Sequence, residues 1–387
     1  MNKILILFGG ILLRNIKTSF VLFSFFILIF LAACGGSDET NSGEGSSEKI
    51  ILKASSGVPE EHVWFEALFN PWMERVVEET NGQVEFELYS GGELVDIGSE
   101  FDALESGLID IALPVFNLYD QKRFPLSEVT MLPTSESDSA IISQAFSSLM
   151  YDEHELKEGK SFYDLEFGDK DLKVWGSSMG EPYAMSTTGD PVEKLSELDS
   201  LKLRTPTRLT EVYTKHLGAT PITMPQTDAY DALSRGTIDG NFISVGDWKS
   251  YGYHDLFSYT LEGANLGHFN AVFGMTNEKW ESLPENVRTA MDEAAKDLIV
   301  DPNATEVMMR LDSEVRELAS DNGSVFEKLE DKSPVIQEAV NKAMVETWYE
   351  WIDRLEAEGH PGTEIAKLWR QLVEENGGEV PEGLELE

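Results

Sequence analysis

Arg204 is the residue whose type and setting point most directly to chemistry. It closes a short β-type run, Leu201-Lys202-Leu203-Arg204, which Thr205-Pro206 stops. A guanidinium at a strand end can meet a carboxylate through two parallel N–H bonds and keeps its charge when desolvated. Downstream, Met224-Pro225-Gln226-Thr227 precedes a helical pattern with Tyr230 and Leu233 on its apolar face. Thr227 reads as the cap of that helix, an anion facing the backbone N–H groups at its start being the alternative, and Gly236 as the residue just past its end. Asp239-Gly240-Asn241 then opens another strand. Gly240 permits close backbone approach, and Asn241 offers a bound ligand both a donor and an acceptor, a tight structural turn being the alternative. Trp64, Phe116, Tyr119, Tyr183 and Trp248 fall on loops or element ends, where aromatic rings would give a ligand apolar contact and a few polar handles. His62, beside Trp64, reads as an exposed side chain at a helix start, a donor to the ligand being the alternative.

Other chemistries lack their usual support. The six histidines, His62, His154, His216, His254, His268 and His360, form no HxxH or HExxH pair, and no P-loop or GxSxG elbow occurs. The single cysteine, Cys34, excludes an intrachain disulfide and leaves no thiolate metal site in the body of the protein. Among 70 acidic residues a carboxylate pair at glycosidase separation can arise by chance, so a membrane-anchored extracellular hydrolase stands as the alternative to a binding protein. Asp239 or Asp247 would be the oxygen ligands if a metal ion accompanied the ligand, but only acidity motivates this. We therefore assign no catalytic residue, no metal site and no cofactor.

The N-terminus determines the compartment. Residues 18–33 form an apolar run preceded by Arg14 and Lys17, and it ends in Leu31-Ala32-Ala33 directly before Cys34. This is the layout of a signal peptide with a bacterial lipobox, in which Cys34 carries the lipid; an uncleaved membrane span is the alternative. Residues 34–48 are small, polar and acidic and read as a flexible tether. The chain carries 30 Lys and Arg against 70 Asp and Glu, and without residues 1–33 the balance is 27 against 70, or net −43. Such a field repels nucleic acid and anionic lipid, and an anion site would need its own concentrated positive potential.

β-type runs alternate with amphipathic stretches, which predicts an α/β architecture. Strands are expected at Ile50–Ala54, Val84–Tyr89, Ile109–Val115, Val174–Ser178, Leu201–Arg204 and Ile238–Ile243. Helices are expected at His62–Glu79, broken at Asn70-Pro71, and at Gly98–Ser106, Ser139–Tyr151, Thr207–Leu217 and Thr227–Ser234. Beyond Pro284 the pattern is helical, near 285–299, 303–320, 334–358 and 362–375. Crossings between two lobes are placed near Val174–Met179 and Gly263–Phe273, with the ligand cleft between the lobes.

Three passages bring these readings to a family. Residues 81–110 (NGQVEFELYSGGELVDIGSEFDALESGLID), 122–133 (KRFPLSEVTMLP) and 195–241 (LSELDSLKLRTPTRLTEVYTKHLGATPITMPQTDAYDALSRGTIDGN) resemble, in order and spacing, three blocks of the solute-binding subunits of tripartite ATP-independent periplasmic (TRAP) transporters. The resemblance extends from about residue 50 to 300. It implies a two-lobed periplasmic-binding-protein-like fold with a helical C-terminal part that includes a long domain-spanning helix. Lobe I is then expected at 49–176 plus about 266–300, and lobe II with the C-terminal helices at about 177–265 plus 301–387. It further implies capture of a small organic anion, with Arg204 on its carboxylate, and delivery to a TRAP permease by a monomer anchored through its lipid to the outer face of the cytoplasmic membrane. One departure bears on the ligand. Many members carry a second Arg where Gly180–Thr188 stands here, and Tyr183 or Ala184 occupies its place. Losing that cation favours a monocarboxylate with an apolar or aromatic body, held by Arg204, Asn241, Tyr183, Trp64, Phe116 and Trp248.

Overall fold

The computed structural model describes residues 48–386. The expected signal peptide, Cys34 and most of the expected tether lie outside the described residues. From Glu48 onward the chain forms one compact unit.

Two sheets organise it. The first has the order β2-β1-β3-β10-β4, built from β1 (Ile50–Ser55), β2 (Val84–Tyr89), β3 (Ile111–Val115), β4 (Leu172–Gly176) and β10 (Val272–Thr276). The second has the order β11-β9-β5-β8-β6-β7, built from β5 (Ala184–Thr187), β6 (Lys202–Thr205), β7 (Thr220–Thr223), β8 (Gly240–Ile243), β9 (Tyr259–Glu262) and β11 (Val325–Lys328). β1 runs parallel to β2 and β3, while β10 is antiparallel to β3 and β4. In the second sheet β6, β7 and β8 are parallel to one another and β5 is antiparallel to β8 and β9. β3 and β8 are buried along their whole length, as expected of central strands covered on both faces. The chain passes from the first sheet to the second between Gly176 and Ala184, and back between Glu262 and Val272. Each sheet with its helices is one lobe of a two-lobed α/β fold.

The six expected strands are present, Val84–Tyr89 with the same bounds and the others with ends moved by at most two residues; β5, β7, β9, β10 and β11 are additional. Each of these five has only four or five residues, too few for a periodic pattern to register. The break expected at Asn70-Pro71 does not occur. A π-helical turn, Phe65–Phe69, runs directly into the helix Asn70–Glu79. The N–H that Pro71 lacks falls at the junction of the two hydrogen-bonding patterns, where the ladder is already interrupted.

The helix Pro334–Ala357 buries Val340, Met344, Trp348 and Trp351 and touches both lobes. Trp348 Nε1 donates to Pro133 O at 2.9 Å, and Arg354 pairs with the fully buried Glu128. Across the helix, Glu350 meets His216 of the helix Arg208–His216. The second oxygen of Glu128 accepts from Leu209 N at 3.0 Å, in the first turn of that helix, where the macrodipole favours a carboxylate. One acidic side chain thus ties together the 3-10 turn Ser127–Met131, a helix of the second lobe and the spanning helix.

Candidate functional site

The site grows from the register of the second sheet. Arg204 on β6 is paired with Asn241 on β8, and Asn241 with Ser186 on β5. Register partners point to the same face, so Ser186, Asn241 and Arg204 stand in a row across three neighbouring strands, with Arg204 one residue before the C-terminal end of β6 and Asn241 one residue into β8. Gly240 is required there because a Cβ would collide with Ser186 O of the neighbouring strand.

Two features of this row are unusual. Arg204 is only 3% exposed, yet its one protein hydrogen bond is from Nε to Met224 O at 3.1 Å, and among the described residues it has no carboxylate partner. Asn241 is 0% exposed, and among the described residues neither its Nδ2 nor its Oδ1 has a hydrogen-bond partner. A buried polar group left unpaired costs about 1–3 kcal/mol. The Met224 carbonyl orients the guanidinium and leaves its terminal nitrogens for something else.

A chain of aromatic contacts joins the two lobes, and its tyrosines lie within electrostatic reach of Arg204. Beside the first sheet, Trp64 packs with its ring centroid 6.0 Å from Phe116 and 6.4 Å from Phe269, and Phe116 stacks on Tyr119 at 5.6 Å. From the second lobe, Tyr183 stacks on Phe269 at 5.6 Å with the ring planes 16° apart. Tyr251 meets His62 edge-on at 6.5 Å and stacks on Tyr253 at 5.7 Å. The Tyr253 hydroxyl accepts from Gln226 Nε2 at 2.7 Å. Burial first, then the negative charge of Asp247, pushes the Tyr183 and Tyr251 hydroxyls well above their ordinary pKa, while Arg204 pulls the other way. Both phenols therefore lie within electrostatic reach of both groups.

Several expected positions differ. His62 is buried rather than exposed, and desolvation lowers its pKa to about 4, so it is neutral at pH 7. It is held inside by Trp64 N, which donates to its Nδ1 at 3.3 Å. Its Nε2 lies 3.7 Å from Asp247 Oδ1, and burial followed by the charge of Asp312 raises the Asp247 carboxyl to about 7. Thr227 does not cap its helix: the helix begins at Gln226 with Pro225 at the cap position and no side-chain bond, because proline's fixed φ already sets the entry angle. Trp248 stacks on Phe326 at 5.7 Å and abuts Phe257 at 5.0 Å in the core of the second lobe. The structure thus gathers Arg204, Asn241, Tyr183, Trp64 and Phe116 and sets Trp248 apart. Phe269, Tyr251 and Tyr253 were not among the expected site residues. Phe269 sits in the crossing segment that the sequence does mark, but nothing in Tyr251-Gly252-Tyr253 signals a cleft wall. Asp239 is tied to the fold by Lys202 N at 2.8 Å. Among the described residues no group of three or more His, Cys, Asp or Glu is placed to hold a metal ion.

Two α/β lobes, with a buried arginine and asparagine side by side in one sheet and aromatic rings contributed from both lobes, are the arrangement in which small ligands are commonly held. The family model described as bacterial extracellular solute-binding protein, family 7, matches residues 54–354, and the chain belongs to that family. Among curated relatives, the C4-dicarboxylate-binding periplasmic protein DctP of Rhodobacter capsulatus is 23% identical over 221 residues, 56% of this chain and 62% of its own length. The chain thus spans under two thirds of that relative. A marine metagenome TRAP solute-binding protein specific for aromatic acid ligands, from an unidentified microbe and solved with 3-hydroxybenzoate, matches with a TM-score of 0.74 and 24% identity, covering 86% of this chain and 100% of that one. A TRAP solute-binding protein from Rhodoferax ferrireducens, solved with copurified benzoate, matches with a TM-score of 0.71 and 24% identity, covering 85% and 98%. These likenesses establish the fold. Among the described residues no helix is long and apolar enough to cross a membrane.

Proposed function

We propose that the protein is an extracytoplasmic receptor that binds a monocarboxylate with an aromatic or apolar body and delivers it to a TRAP-type permease without chemical turnover. The observation that carries this reading is a buried pair: Arg204, whose guanidinium bonds only the Met224 carbonyl through Nε, and Asn241, whose amide has no partner among the described residues. A carboxylate placed against them accepts from the guanidinium and from Asn241 Nδ2, replacing an energetic liability with charge-assisted bonds. Lobe closure excludes water and strengthens those bonds.

The body of the ligand follows from the walls. Trp64, Phe116, Phe269 and Tyr183 offer ring faces and edges suited to an aromatic group. Where many relatives have a second arginine, Tyr183 stacks on Phe269 instead, which leaves one cation for one carboxylate. The structural relatives solved with benzoate and 3-hydroxybenzoate are consistent with that class. In this account Trp248 supports the second lobe instead of touching the ligand. Cys34 carries the lipid that holds the monomeric receptor at the outer face of the cytoplasmic membrane, and the acidic tether gives it reach.

A thermal-shift panel of aromatic and aliphatic mono- and dicarboxylates tests the reading, since a ligand that binds only the folded state raises Tm with concentration. Stabilisation by aromatic monocarboxylates, lost in Arg204→Ala, supports it. Turnover of an ester or a glycoside with no carboxylate-dependent shift would sink it.

A further inference from the structure

His62 and Asp247 are the polar pair in the cleft that carboxylate binding leaves unused. They come from opposite lobes, His62 beside the first sheet and Asp247 from the turn Val245–Asp247 that follows β8. His62 Nδ1 accepts from Trp64 N, so the neutral ring carries its proton on Nε2, the atom that faces Asp247 Oδ1 at 3.7 Å. That separation is too long for a direct hydrogen bond. Among the described residues neither Nε2 nor the Asp247 carboxylate has another hydrogen-bond partner from a side chain. The pair thus presents one donor and one acceptor side by side, and the Trp64 ring packs against His62 with centroids 4.7 Å apart and planes tilted by 45°, which places the pair at the edge of the aromatic cluster.

A hydroxyl is the group that such a pair complements, because its oxygen accepts from one side while its proton is donated to the other. A carboxylate in that place would meet the negative charge of Asp247, and a methyl or halogen would leave both groups unpaired. We infer that His62 and Asp247 form a specificity subsite that reads a hydroxyl on the body of the ligand, so that the preferred solute is a hydroxylated aromatic monocarboxylate. This rests on the carboxylate reading of Arg204. The hydroxyl spans the two lobes, so it also adds a bond that exists only when they close. Burial, which keeps His62 neutral and raises Asp247, suits such a pair to a neutral partner.

Calorimetric titration tests the inference with benzoate, its 2-, 3- and 4-hydroxy derivatives, mandelate and 3-methoxybenzoate, on the parent and on Asp247→Ala, His62→Phe and Arg204→Ala. At least one hydroxylated acid is expected to bind about ten-fold or more tighter than benzoate, the worth of one well-made buried hydrogen bond. The methoxy acid should show no such gain. In Asp247→Ala and His62→Phe the preference should collapse to within about three-fold while benzoate itself still binds; Asp247→Asn, which keeps an acceptor, should retain part of it, and this variant covers the case in which alanine unsettles the fold. Benzoates that bind through Arg204 with no hydroxyl preference, or a preference indifferent to Asp247 and His62, overturn the subsite and leave the carboxylate reading standing. Binding of none of these acids, or binding indifferent to Arg204→Ala, overturns both.

Discussion

Two asparagines, both fully buried, are treated in opposite ways. Asn270, in the crossing between the sheets, donates from Nδ2 to Ser127 O and to Thr130 Oγ1, both at 2.7 Å, and accepts from Asn117 Nδ2 at 2.7 Å. Around it, Thr130 Oγ1 donates to His268 O at 2.9 Å, and His268 bridges Gly180 O and Ser137 Oγ at 2.7 Å each. Asn241, beside Arg204 on the second sheet, has no partner at either end among the described residues. The same side chain at the same depth is saturated where the lobes are joined and left open where they face each other. Saturated networks make a structure unique and rigid, and a buried group held open is a place for a ligand.

The sharpest way to break that contrast is Arg204→Ala, which removes the charge that Asn241 assists. We expect aromatic monocarboxylate affinity to fall at least about a hundred-fold, in line with losses of roughly 2–5 kcal/mol for a desolvated charge pair, with Tm of the ligand-free protein little changed. Arg354→Ala tests the joined side. It strands the Glu128 carboxylate in the interior, at a cost of about 3–5 kcal/mol in unfolding free energy by denaturant titration. Asn270→Leu should cost about 3 kcal/mol, three hydrogen bonds at roughly 1 kcal/mol each, with ligand affinity changed far less than by Arg204→Ala. Asn241→Leu should do the reverse: unfolding free energy unchanged or raised, because an unpaired amide is removed, and ligand affinity reduced about ten-fold by calorimetry.

The smallest expected effect is a pH dependence. The folded protein raises Asp247 from 3.8 to about 7, so between those values it holds a proton that the unfolded chain releases. The stability from this group is complete below about 4 and is lost as the pH rises through about 7. His62, lowered from 6.5 to about 4, acts in the opposite sense: its contribution is present above 6.5 and lost as the pH falls through about 4. Asp247→Asn should therefore raise Tm by roughly a few degrees at pH 8 and give no gain at pH 4, in differential scanning calorimetry of the ligand-free protein.

Much of the polar half of the site is legible in the sequence because it is local. Arg204 before Thr205-Pro206 announces a strand end, and Gly240-Asn241 announces a close approach beside a polar group; the register of two parallel strands then brings them together. The aromatic half is less legible. Trp64, Phe269 and Tyr251 belong to three segments far apart in the chain, and nothing in periodicity distinguishes a ring that lines a cleft from one that fills a core. Trp248 shows the cost of that ambiguity: it follows β8 much as Tyr251 does, yet it packs inward on Phe257 and Phe326. Likewise β5, β7 and β9 are four-residue strands whose pairing depends on the sheet around them, so local pattern does not reveal them. His62 looked exposed because a histidine at a helix start usually is; only the folded chain shows Trp64 covering it.

The central claim is that the open pair Arg204 and Asn241 is the carboxylate site, and a crystal structure of the protein grown with an aromatic monocarboxylate tests it most directly. The account predicts the carboxylate within hydrogen-bonding distance, about 2.7–3.0 Å, of both the Arg204 guanidinium and Asn241 Nδ2, with the ring between Trp64, Phe269 and Tyr183. A ligand bound elsewhere, or one in the cleft with its carboxylate turned away from Arg204, would contradict it.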